Sequence, residues 1–153
     1  MQTAANADEK MREVRQRGVA ALEKGLGYLL KNQAKDGGWH SQAYGQLKGG
    51  AALTAFVLEG ISHASAEWRT KQRDAVGRGF AFFTPGFTKR GTIACADGSL
   101  DHPTYGAALW LLASRRFGRE GEDKVRSGLV SYLLGAQCTE DRGFEKESPS
   151  FGG

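Results

Sequence analysis

The sequence predicts an all-α protein, and three observations predict it. Twenty Ala and 14 Leu stand against 6 Val and 2 Ile, a bias toward helix formers and away from β-branched residues. Apolar residues recur at helical rather than alternating spacing. Related segments return along the chain at a period of about 52 residues, as stacked helical hairpins do.

The elements follow in order. Residues 1–7 carry no apolar periodicity and are expected to be disordered. Met11, Val14, Leu22, Leu26, Leu29 and Leu30 form one stripe on an otherwise charged segment, so an amphipathic helix with one buried face is expected over 8–33. Asp36-Gly37-Gly38-Trp39 then makes a turn. Residues 50–61 are apolar nearly all round, which predicts a helix buried on most sides. Ser65 is expected to cap a helix over 65–83, striped by Trp68, Ala75, Val76, Phe80 and Phe83. A second all-apolar helix is expected over 104–116, entered at Pro103-Thr104. Val125, Leu129, Tyr132 and Leu133 stripe the last, over 121–137. Pro85, Pro103 and Pro149 fall between these elements. The order reads outer, inner, outer, inner, outer.

The repeat is visible residue by residue. Tyr28-Leu29-Leu30-Lys31-Asn32-Gln33 is answered by Tyr132-Leu133-Leu134-Gly135-Ala136-Gln137. Each Gln leads to glycine and an aromatic, Gly38-Trp39 in the first copy and Gly143-Phe144 in the second. Midway stands Phe80, in a copy that has Pro85 where the Gln would be. The inner elements match too: Ala51-Ala52-Leu53 recurs as Ala107-Ala108-Leu109. Such hairpins cannot bury their faces alone, so they stack as a solenoid or close into two concentric rings, and the apolar inner helices favour the ring.

Composition bounds the rest. A chain of 153 residues, 40% apolar and with net charge +4, suits one compact domain or half of a larger one, and is too apolar for disorder. No run of 18 apolar residues could span a membrane, and the first ten residues show no secretory signal, so a cytoplasmic location is expected. The basic excess does not read as a nucleic-acid surface, because Arg12, Arg15 and Arg17 alternate with Glu9 and Glu13, and Arg115, Arg116 and Arg119 run into Glu120, Glu122 and Asp123. Cys95 and Cys138 are expected to be plain thiols. There is no phosphate-binding loop and no nucleophile elbow, and no cofactor or metal is expected.

Leu29-Leu30, Gln33 and Asp36-Gly37-Gly38-Trp39 resemble the Gln–Trp repeat of squalene and oxidosqualene cyclases, whose α/α-toroid is shared by protein prenyltransferase β subunits. Gln137 and Gly143-Phe144 resemble the same repeat with Phe for Trp. The resemblance implies a single domain over 1–153, an incomplete toroid arc of about five helices. It also implies a place for an isoprenoid or other apolar ligand against the inner helices. Closed toroids of this kind take more hairpins, so a longer gene product carrying the remaining repeats, or a homo-oligomeric partner, is expected to cover the open face. The alternative is a non-catalytic repeat scaffold for protein contact.

If the chain is an enzyme, the resemblance implies cyclase- or prenyltransferase-like chemistry, and there the sequence departs from the family. The Asp-x-Asp-Asp acid of the cyclases is missing. Cys95, Asp97 and His102 have the residue types of the prenyltransferase zinc site but not its order or spacing. The remaining catalytic candidates are Asp97, Asp101 and His102, beside the start of the second inner helix. In a toroid this end faces the central cavity, with Tyr105 and Trp110 lining it. A helix N-terminus would keep Asp101 ionised, which counts against it as an acid. The plainer reading is that Asp101 and Thr104 cap the helix and His102 lies in solvent. His40 and His63 read as surface residues, Trp39 and Trp68 as packing residues.

Overall fold

A computed structural model describes residues 2–119, 122–150 and 152, with the backbone alone given for 2–7 and 89. The described residues are helical and contain no strand. The chain divides into two compact units, Met1–Gln33 and Ala34–Gly153.

The first unit is one helix, α1, Gln2–Lys31. Of its predicted stripe, Leu26 is buried and Leu29 and Leu30 are half-buried, while Met11, Val14 and Leu22 are exposed. Periodicity groups residues on one side of a helix but does not supply the surface that covers them.

The second unit is built around α2 (Ala51–Ser62) and α6 (Pro103–Arg116), which form its most extensive helix–helix contact. Small residues allow that contact. Ala51, Ala55, Ala107 and Ala113 are fully buried, and a Cβ on Gly106 would stand 3.9 Å from the Ala52 Cα. The two helices are not buried on every side: Phe56 and Leu112 are exposed. α7, Asp123–Ala136, packs on α6 with Leu129 fully buried.

The expected helix over 65–83 is divided. Ser65 caps α3 (Ala66–Lys71) by accepting from the Trp68 N–H at 3.2 Å. Gln72 then leaves helical geometry, at φ −104° and ψ 19°, before α4 (Arg73–Ala81). A further short helix, α5, covers Thr84–Arg90. Pro85 therefore opens a helix instead of separating two, because the first turn needs no N–H from that residue. These divisions give more and shorter helices among the described residues than the five expected. Single turns of 3₁₀ helix complete the elements, at Gly45–Leu47 and Glu140–Arg142.

Candidate functional site

The first glycine–aromatic turn is a packed corner. Gly37 has φ +91°, and a Cβ there would lie 2.5 Å from the Arg78 carbonyl oxygen. A Cβ on Gly38 would meet the Phe82 ring at 2.7 Å. Only glycine lets the backbone approach α4 this closely. Trp39 follows at 3% exposure, and its N–H donates to Thr54 Oγ1 of α2 at 2.8 Å. Trp39 is thus the packing residue the sequence suggests. Asp36 accepts from the Gly38 N–H at 3.0 Å and pairs with His40 Nε2 at 3.0 Å. Burial pushes the Asp36 carboxyl up, but the Gly38 N–H and the His40 ring outweigh it and hold the group below the usual carboxylate range. His40 is not an isolated surface residue, for its Nδ1 also meets the Lys48 carbonyl at 2.9 Å and its ring packs edge-on against Phe82.

The second glycine–aromatic turn is looser. Gln137 ends α7 and is exposed. Gly143 has φ +83° but open space around it, and Phe144 is 37% exposed. The Thr139 hydroxyl bond lowers the Asp141 carboxyl in turn. Gln33 lies just past α1, with its N–H on the Leu30 carbonyl at 3.2 Å.

The catalytic candidates lie together in sequence, before the start of α6. Asp97 Oδ1 accepts from the Ser99 N–H at 2.8 Å, an ordinary Asx turn. Cys95 is buried, and a Cβ on Gly49 would collide with its sulfur. Among the described residues no three His, Cys, Asp or Glu side chains are grouped to hold a metal. His102 stands at the N-terminal end of α6 in a left-handed conformation, φ 44° and ψ 56°, uncommon for a residue other than glycine. No side-chain hydrogen bond caps the N-terminus of this helix, so Asp101 and Thr104 do not play the capping role suggested for them. Asp101 instead turns inward, at 6% exposure, with neither carboxylate oxygen hydrogen-bonded. Tyr105 is exposed and faces the His102 ring edge-on at 6.5 Å. Trp110 is buried against Phe80, with ring centroids 5.7 Å apart.

Sequence reasoning missed two features. His63, at the C-terminal end of α2, pairs with Glu59 at 2.8 Å and meets Arg116 of α6. Beside it lies a cleft rich in arginine, formed by residues 66–77 and 116–119. The only sequence signal was a pair of arginines in each segment, Arg69 with Arg73 and Arg116 with Arg119, and nothing in either pair tells that the two meet.

Comparison with family models, with curated proteins and with solved structures finds no match to this chain. No helix among the described residues is long and apolar enough to cross a membrane.

Proposed function

We propose that the chain is a squalene-cyclase- and prenyltransferase-like helical repeat protein, and that the open face of α2 and α6 holds an isoprenoid or other apolar ligand. One observation carries this reading. Shifted by 56 residues, Ala51, Thr54, Val57 and Leu58 of α2 fall on Ala107, Trp110, Ala113 and Ser114 of α6, all buried. The same shift lays exposed Phe56 on exposed Leu112, and half-buried Leu53 on half-buried Leu109. Two neighbouring helices that bury matching sides and expose matching apolar sides are what an inner layer of stacked hairpins requires. The proposed role is binding, which the apolar side chains exposed on that face support.

The test is titration with a fluorescent isoprenoid alcohol. Phe56→Arg or Leu112→Arg should weaken binding about tenfold or more, since covering one such side chain is worth roughly 1.5–3 kcal/mol. Both residues are exposed, so helix content by circular dichroism should not change. A folded wild-type protein that fails to bind the probe would end this reading.

A second reading, a scaffold that uses this face for protein contact, is favoured by the face being open. The clefts at Arg69–Arg119 and at Thr104–Leu134 lie elsewhere. On that reading a second copy of the chain covers the face. Sedimentation velocity should then show a dimer that Phe56→Arg disperses.

A further inference from the structure

We propose that the arginine cleft binds a small molecule carrying phosphate groups, at a place separate from the apolar face of α2 and α6. Its walls come from α3 and α4 on one side and the C-terminal end of α6 on the other. It encloses about 570 Å³ and is lined by Arg69, Arg73, Arg116 and Arg119, with Thr70 and Phe117 among the other contributors. No Asp or Glu lines it among the described residues. Small-molecule sites span roughly 300–1,000 Å³, so the cleft has room for more than a single phosphate.

Three of the guanidinium groups are held in place by the protein. Arg69 Nη1 donates to the carbonyls of Ser62 and Arg116, at 3.2 and 3.1 Å, and its Cζ lies 5.8 Å from the centre of the Phe117 ring. Arg119 stacks over Phe80 at 4.4 Å and donates from Nε to Glu122 Oε1 at 2.7 Å. Arg116 Nη1 donates to Glu59 Oε1 at 3.3 Å and also meets His63. Each guanidinium has five N–H donors, and these contacts use only some of them. The stems are fixed while charge and donors remain for a ligand, which suits bidentate recognition of phosphate oxygens.

Helix capping explains part of this arrangement. Arg69 serves the carbonyl ends of α2 and α6, where a cation is favoured. Capping does not explain Arg73, which is exposed at the start of α4, or why four arginines share one cleft. Among the described residues, Glu59 and Glu122 are the carboxylates bound to these arginines in the contacts above, and even with two helix C-termini they leave a positive excess. Like charges gathered in one cleft repel, and an anion with several negative oxygens relieves that repulsion.

Calorimetric titration of the intact chain with inorganic pyrophosphate, at about 0.15 M salt, tests this. The expected result is one site per chain. Arg73→Ala should weaken it about tenfold, the loss of one charge-assisted contact. Arg115→Ala, on α6 but outside the cleft, should bind as the wild type does. Phe56→Arg should also leave pyrophosphate binding unchanged, so failure here and failure of the isoprenoid reading are separable. Arg73→Ala binding as tightly as wild type would overturn the proposal. So would a folded wild-type protein that ignores millimolar pyrophosphate, or one that binds only vesicles containing phosphatidic acid.

Discussion

At residues 36–39 a helix end is followed by Asp, two glycines and an aromatic side chain that sinks into the core. At residues 141–144 similar residues leave the aromatic side chain partly in solvent. Both turns use a glycine at positive φ, and in both the aspartate is held below its usual range. What differs is the neighbour. Trp39 meets α2 and α4 through Thr54 and Gly79, whereas no further helix follows Phe144 among the described residues. A local motif therefore sets the turn, and the helix packed against it decides whether the aromatic stabilises anything.

The largest effect should come from cutting back the two aromatics. Trp39→Ala should cost about 3–5 kcal/mol in chemical denaturation, as for a large core side chain. Phe144→Ala should cost about 1–2 kcal/mol, because more than a third of that side chain is already in water. Equal losses would break the contrast between the turns.

Next comes the bond that ties the first turn to α2. Thr54→Val keeps the shape but removes the acceptor of the Trp39 N–H, and a buried donor left unpaired costs about 1–3 kcal/mol. Smaller again is Gly143→Ala. Nothing crowds that position, so only the strain of a side chain at positive φ remains, about 1 kcal/mol.

The smallest effect is electrostatic. The Asp36 carboxyl is lowered from 3.8 in the folded chain, so its contribution is complete above that value and fades as pH falls through the lower folded value. Asp36 is half exposed, which keeps the contribution small. Asp36→Asn should melt slightly below wild type near neutral pH, and the two curves should converge as acid protonates Asp36 in the folded chain. A gap that widens with acid would contradict the assigned sign.

Much of this fold was legible in the sequence. Helices α2, α6 and α7, the Ser65 cap and the buried Trp39 all follow from apolar spacing and helix-end chemistry. The break at Gln72 had no Pro or Gly to announce it. Pro85 was ambiguous, since proline both ends helices and begins them. The exposed sides of α1, α2 and α6 could not be read, because periodicity names a face and not its cover. The arginine cleft was hidden for a related reason: Arg69 and Arg116 meet across 47 residues.

Residue-resolved amide hydrogen exchange tests the contrast between the turns most directly. The Trp39 N–H, bonded to Thr54 Oγ1, should exchange only through global unfolding, together with the core amides of α2 and α6. The Phe144 N–H, on the Thr139 carbonyl at 3.2 Å, should exchange orders of magnitude faster through local opening. Similar rates at the two positions would contradict the claim that the first turn belongs to the core and the second does not.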